Sequence, residues 1–161
     1  MIGLLQMNVK LVGLDQASMV PVVILSDAEE RYYVPVVVGP AEANAIAIVL
    51  EGVDTPRPLT HDLLLSTINQ LGAVVDRIVI TELKDDVYYA RIILTRNGQR
   101  IELDARPSDS IALALRAGAP IYVSEQIVTE SAMPKPAEDP ELEAFREFLE
   151  NLSPDDFRKQ Q

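Results

Sequence analysis

Two short polar runs hold the side chains of this 161-residue chain whose types and spacing could do chemistry. In Arg57-Pro58-Leu59-Thr60-His61-Asp62, His61 is the chain's single histidine and could act as a general base or a metal ligand. Asp62 would orient it, and Arg57 would clamp a phosphate. In Asp104-Ala105-Arg106-Pro107-Ser108-Asp109, Asp104 ends a strand pattern and Asp109 stands two positions after a helix-opening proline. Two carboxylates leaving a strand-to-helix turn could hold Mg²⁺, which takes a few carboxylates and keeps several waters. Each run also has a plain structural reading. Thr60 would cap a helix, Asp62 would favour its positive end, and His61 would sit exposed in its first turn. Asp109 would satisfy the free N–H groups of the next helix, as Glu42 would at the matching place earlier in the chain. Glu82-Leu83-Lys84-Asp85-Asp86 reads as a solvated hairpin turn. Tyr32-Tyr33 and Tyr88-Tyr89 read as strand residues packed on a sheet rather than as base-stacking platforms.

Composition removes several alternatives. There is no cysteine, so thiol catalysis, Cys-ligated metal and disulfides are out, and one histidine cannot make a poly-histidine site. No glycine-rich phosphate loop, G-x-S-x-G elbow or His-Glu-x-x-His run occurs. With 25 acids against 14 bases the net charge is −11, and the acidity is shared between the last 35 residues and the rest. A passive nucleic-acid binder carries a basic footprint, so contact with a polyanion here requires a local arginine patch or a bound cation. No run approaches the roughly 18 apolar residues of a membrane span, and Met1–Leu5 lacks a basic leader region. A cytoplasmic, non-membrane protein is the expectation.

The elements that must position these side chains are legible as an α+β fold. A shift of 67 residues lays Asn8–Gly52 over Val75–Ala119 without a gap: Pro40 falls on Pro107, Glu42 on Asp109, and Ala45-Ile46-Ala47-Ile48 on Ala112-Leu113-Ala114-Leu115. This pattern predicts internally duplicated β-β-β-α units, repeats of about 8–52 and 75–119, forming a mixed or antiparallel sheet with alanine-rich packed helices. Strands are expected at Met7–Leu14, Val20–Ser26, Tyr32–Val38, Asp76–Leu83, Val87–Thr95 and Arg100–Ala105. Asn97-Gly98 supplies a hairpin turn, because both residues tolerate positive φ. Ile101, Leu103 and Ala105 would face the core, and Pro21 and Pro35 mark their strands as edges or bulges. Helices are expected over Pro40–Glu51 and Pro107–Ala117, each opened by proline and followed by glycine, with a linking helix over Thr60–Leu71. A last strand would span Ile121–Val128. The domain would thus cover 1–129, followed by a proline-rich linker over 130–140. An acidic C-terminal helix and tail would occupy 141–161, with Leu142, Phe145, Phe148, Leu149 and Leu152 in one stripe.

Val36-Val37-Val38-Gly39-Pro40-Ala41-Glu42-Ala43, Arg57-Pro58-Leu59-Thr60-His61-Asp62-Leu63, Leu71-Gly72-Ala73 and Asp104-Ala105-Arg106-Pro107-Ser108-Asp109-Ser110-Ile111-Ala112-Leu113-Ala114 together resemble the bifunctional nuclease domain family, over about residues 5–130. The resemblance implies cleavage of phosphodiester bonds in DNA and RNA, as in some members, and a compact homodimer. The family's polar motif positions are all filled here, by Glu42, Arg57, His61, Asp62, Asp104, Arg106 and Asp109. On that basis His61, Asp62, Asp104 and Asp109 are the expected catalytic residues and Arg57 and Arg106 the expected phosphate clamps. Glu42, Asp104 and Asp109 are the expected ligands of Mg²⁺ or another divalent cation, with no organic cofactor. Two rivals stand beside this: a non-catalytic dimeric binding or regulatory module, and a small-molecule sensor with its pocket between the repeats.

Overall fold

A computed structural model of the chain describes residues 3–134. Seven strands and a two-residue eighth form one mixed sheet: β1 Leu4–Leu14, β2 Pro21–Ser26, β3 Tyr32–Val37, β4 Ala73–Lys84, β5 Val87–Arg96, β6 Gln99–Ala105, β7 Ile121–Ser124 and β8 Met133–Pro134. Their order is β6-β5-β4-β7-β1-β2-β3-β8, so two antiparallel meanders flank β7, which runs parallel to β4 and antiparallel to β1. The helices are α1 Pro40–Leu50, α2 Thr60–Gln70, α3 Pro107–Ala117 and α4 Glu125–Ser131. Among the described residues no helix is long and apolar enough to cross a membrane.

Local chemistry sets most of these boundaries. Pro40 and Pro107 open α1 and α3 at a position where the missing N–H costs nothing, and Gly118 ends α3 at φ 65°. Asn97 and Gly98 turn β5 into β6 with φ of 51° and 75°. Asp27 holds the β2–β3 turn by accepting from the Arg31 and Tyr32 amides at 2.8 and 3.0 Å. Interruptions of register in β1 between Val9 and Leu11, and in β4 near Asp76 and Thr81, bend the sheet. The bend is strong enough that the Tyr88 hydroxyl of β5 donates to the Pro35 carbonyl of β3 at 3.3 Å, although four strands separate β5 from β3 in the sheet.

One continuous apolar core lies between the helices and the sheet. Leu113, Ile111 and Ala112 of α3 meet Ile46 of α1, Ile68 of α2, and Ile78, Ile80, Ile92 and Leu94 of the sheet. Each such side chain, once buried, contributes about 1.5–3 kcal/mol. Helix α3 lies between α1 and α2 and rests on β4 and β5. Alanines at 43, 45, 47, 112 and 114 allow the close approach this requires.

Several expectations are corrected. Residues 125–131 are helix rather than strand, because the Ser124 hydroxyl accepts from the Ile127 amide and starts α4, and Ile127 and Val128 bury into the core from it. Strand β2 is not an edge: Pro21 is tolerated as its first residue, while β3, holding Pro35, has β8 beside Tyr32 and Tyr33 only. Strand β6 is the sheet's edge, and Ile101 and Leu103 remain 37% exposed rather than half-buried. Within the expected linker, residues 130–131 end α4 and Met133-Pro134 pairs with β3; the rest of it and the expected helix at 141–152 lie outside the described residues. Both halves do run strand, strand, strand, helix. The 67-residue shift does not carry the pairings with it, however. It would place Val22↔Val37 onto Tyr89↔Asp104, whereas Asp104 pairs with Arg91. The halves share an order of elements; a duplication is not shown.

Leu113→Ala, at a fully buried α3 position, lowers unfolding free energy by about 3 kcal/mol. Gly118→Ala, with open space around a new Cβ but a left-handed backbone, costs about 1 kcal/mol. Urea unfolding of the two variants checks both values and their order.

Candidate active site at the helix starts

The first turns of α1, α2 and α3 converge. Glu42 and Asp109 occupy the same place in α1 and α3, two residues after the opening proline. Neither acts as a side-chain cap, which overturns the plain structural reading of both. Instead Arg106, the residue before Pro107, reaches both acids: its Nη2 lies 2.6 Å from Glu42 Oε1 and its Nε lies 2.9 Å from Asp109 Oδ2. The Glu42 carboxylate folds back over Gly39, where any Cβ would collide with it. From α2, His61 places Nε2 at 2.9 Å from Asp109 Oδ1. The result is a chain of contacts, His61–Asp109–Arg106–Glu42, drawn from three helices.

Exposure rises along its first three members and falls back to 16% at Glu42. The His61 side chain is 10% exposed, that of Asp109 30% and that of Arg106 64%. Burial pushes the Asp109 carboxyl up, but hydrogen bonds from His61 and Arg106 and the charge of Arg106 outweigh it and hold the group below its ordinary 3.8. The Glu42 and Asp109 hydrogen bonds raise Arg106 in turn. Asp109 is therefore an anion at neutral pH and can only accept, so the contact assigns the imidazole proton to Nε2. That leaves Nδ1 as a lone-pair acceptor with no partner among the described residues.

Asp62 makes a second contact set. Its Oδ2 accepts from the Leu59 amide at 2.9 Å, so Leu59 rather than Thr60 is the cap residue and the capping acid sits three residues on. Its Oδ1 accepts from Arg116 Nε at 2.8 Å. Arg116 also donates to the carbonyls of Ala112 at 2.9 Å and Ala45 at 3.1 Å, tying α1, α2 and α3 together with a side chain 5% exposed. Burial raises Asp62, while the Leu59 amide and Arg116 lower it more, for a net depression. Arg116 is absent from the sequence-derived site. Its signal was available: a lone cation late in an enclosed apolar helix must find a partner.

The other expected residues lie apart. Asp104, on the edge strand β6, pairs with Arg91 at 2.8 Å. The Arg57 side chain is exposed and borders an open hollow with Asp62, Arg116, Thr55, Val53 and Ile48. Among the described residues no hydrogen bond or ion pair joins Arg57 or Asp104 to the His61–Asp109 contact. The described residues hold no group of three His, Cys, Asp or Glu side chains placed for a metal ion. Glu42 and Asp109 both face Arg106, so the expected Glu42–Asp104–Asp109 set does not fit a divalent cation as arranged.

A family model described as the bifunctional nuclease domain matches residues 23–136. The chain belongs to the bifunctional nuclease domain family. An uncharacterized protein of Mycobacterium tuberculosis strain H37Rv is 41% identical over 163 residues, covering 94% of this chain and 98% of its own. The protein named bifunctional nuclease 1 in Oryza sativa subsp. japonica is 28% identical over 131 residues, covering 77% of this chain but 40% of its own. Its namesake in Arabidopsis thaliana is 24% identical over 102 residues, covering 62% and 31%. The family domain starts within β2 and ends past β8, so it includes every residue of the convergent site.

Asp62 gives a pH test with a definite sign. A carboxyl held below 3.8 in the folded chain stabilises it fully above that value and loses this contribution as pH falls through the folded value. Asp62→Asn is therefore less stable than the parent at pH 7, and the gap narrows as pH falls below 3.8 and through the depressed folded value. Urea midpoints across that range check it; a gap that widens in acid contradicts the Asp62–Arg116 assignment.

Proposed function

We propose that this chain cleaves phosphodiester bonds of DNA, RNA or both, with the His61–Asp109 pair at its centre. The single observation that carries the reading is the 2.9 Å contact between the only histidine and a depressed carboxylate, beside a largely exposed arginine. In this reading Asp109 fixes the Nε2–H tautomer and stabilises the imidazolium once it forms. Nδ1 takes the proton from the water that attacks phosphorus, the P–O bond to one sugar oxygen breaks, and that leaving oxygen takes its proton from solvent. Arg106, held in place by Glu42, meets the scissile phosphate and offsets the charge that develops on it. Arg57, exposed and without a side-chain partner among the described residues, takes a neighbouring phosphate. Asp62 holds the α2 start that presents His61. No step is routed through a cation, because the carboxylates as arranged do not offer one a site; a bound divalent ion would have to draw Glu42 or Asp109 from Arg106. A cytoplasmic site of action accords with the cysteine-free composition.

The rival reading is a non-catalytic binding or regulatory module. It is favoured by one observation: the carboxylates and arginines of the site are paired to one another, as they would be if their task were to lock three helices. Cleavage by purified protein of single- and double-stranded DNA and of RNA, with and without chelator, separates the two. Under the nuclease reading His61→Ala and Asp109→Asn each lower the rate about 10²–10⁴-fold at unchanged folding. Asp104→Asn then distinguishes the dyad from a cation-holding carboxylate set, since the dyad predicts a loss below about threefold. Equal activity in His61→Ala and the parent would falsify the nuclease reading.

The homodimer belongs to the same proposal. Among the described residues strand β6 is an open edge, with Ile101, Leu103 and Ala105 alternating on one face and Arg100, Glu102 and Asp104 on the other. Antiparallel pairing about Glu102 sets Arg100 against Asp104 of the second copy and Ile101 against Leu103, at the cost of apposing two copies of Glu102. Ile101→Lys with Leu103→Lys yields a monomer in sedimentation where the parent is a dimer; an unchanged dimer places the interface elsewhere.

A further inference from the structure

The passage from α1 into α2 builds an open hollow beside the convergent site. It measures about 360 Å³, at the lower end of small-molecule sites, and Ile48, Val49, Val53, Pro56 and Pro58 make its apolar side. Its walls are stiff although residues 53–58 belong to no helix or strand. Pro56 and Pro58 fix φ on either side of Arg57 and narrow the backbone freedom of Thr55 and Arg57, the residues before them. The Thr55 hydroxyl donates to the Arg57 carbonyl at 2.9 Å, and the Val53 amide donates to the Ile48 carbonyl at 3.0 Å. A ligand therefore has little ordering to impose on these walls.

The polar groups of the hollow are of two kinds. Asp62 and Arg116 meet at 2.8 Å and neutralise each other, so they supply dipoles without net charge. Arg57 and Asp54 differ. Both are exposed, both line the hollow, and neither side chain has a hydrogen bond or ion pair among the described residues. Opposite charges that share one hollow without meeting suit a ligand with an anion at one place and hydrogen-bond donors at another. The apolar side adds a third demand, a face that gains by leaving water. A nucleotide meets all three, with its phosphate, its sugar hydroxyls and its base.

We propose that this hollow takes one unpaired ribonucleotide of a single-stranded RNA. Arg57 takes its phosphate, the base lies against Val49, Val53 and the prolines, and Asp54 accepts from the ribose 2′-hydroxyl, the group that tells RNA from DNA. The proposal rests on the nuclease reading and narrows it from phosphodiesters in general to single-stranded RNA. Asp62, in the lining, directly follows His61, so the occupant abuts the α2 start that presents the imidazole. A base stacked in a duplex must leave the stack to enter a hollow, whereas a single strand offers it already unpaired. The charge balance agrees. One nucleotide asks for few phosphate contacts, and a chain at −11 is poorly equipped to hold the many that a duplex presents.

The test reads binding, so that it stands apart from cleavage. Full-length protein with isotope-labelled valine methyl groups is titrated with adenosine 5′-monophosphate, its 2′-deoxy counterpart, ribose 5-phosphate and inorganic phosphate, and the Val49 and Val53 resonances are followed. Adenosine 5′-monophosphate is expected to shift both saturably. The deoxynucleotide binds about tenfold more weakly for want of one hydrogen bond to a carboxylate. Ribose 5-phosphate, lacking the base, is weaker by about tenfold as well. Asp54→Ala, at an exposed loop position, removes the preference for ribose at unchanged folding, and Arg57→Gln weakens the nucleotide about tenfold. Unmoved methyls, equal responses to the nucleotide and to inorganic phosphate, or a ribose preference that survives Asp54→Ala each overturn the proposal. Saturable nucleotide binding by a protein that cleaves nothing sinks the nuclease reading and leaves the hollow its ligand; cleavage without nucleotide binding does the reverse.

Discussion

Arg106 is the hinge of the arrangement. It stands at the junction of β6 and α3 and takes hold of one acid from its own helix, Asp109, and one from α1, Glu42. A guanidinium presents donors in a fixed planar fork, so two carboxylates are held at set angles rather than loosely attracted. With Asp109 fixed, its second oxygen is free to face α2, where His61 meets it. Arg106 thus links the starts of three helices at the surface, while Arg116 ties the same helices together from within. In the sheet β3 and β6 lie towards opposite edges, and each leads through a proline into its helix, α1 or α3.

Much of this framework was legible before any coordinates. Pro107 and Gly118 bound α3 to the residue, because one lacks a donor that the helix start does not need and the other accepts a left-handed backbone. Other features hide from local reading. Thr60 has the right side chain for a cap, yet the capping carboxylate is Asp62, three residues into the turn. Residues 125–131 include Ile127, Val128 and Thr129, all strand-formers; tertiary burial of the first two and the Ser124 cap override that preference. Asp104 alternates out of the core face as its pattern requires, but which partner it meets depends on the adjacent strand, and Arg91 takes it. His61 and Asp109 are 48 residues apart, and Arg116 and Ala45 are 71 apart; no spacing rule reports such pairs.

The charge balance looks different once the pairs are placed. A chain at −11 should repel a polyanion, and many of its cations are spent on internal acids: Arg91 on Asp104, Arg100 on Glu102, Lys10 on Glu30, Arg116 on Asp62. Arg106 differs by bonding carboxylates from two different helices at once while its side chain stays 64% exposed. Its two carboxylates neutralise it in the resting chain and also keep its conformation fixed. An incoming phosphate must therefore compete with Glu42 and Asp109, which favours weak, position-specific contact over general affinity for nucleic acid.

The convergent pairs are also an odd choice for packing alone. Ion pairs withdrawn from water gain little over apolar side chains of equal volume, since desolvation consumes most of the attraction. Three helices rich in alanine, isoleucine and leucine could have met through more of the same. The sequence instead places a histidine, two acids and an arginine at the helix starts, with exposure rising from His61 outwards to Arg106. A lock would gain from burying every member. A site that must hand protons and charge to something outside needs this gradient: a shielded imidazole whose tautomer is fixed, an anion behind it, and a cation at the surface. The gradient is the physical reason for preferring chemistry over glue at this junction.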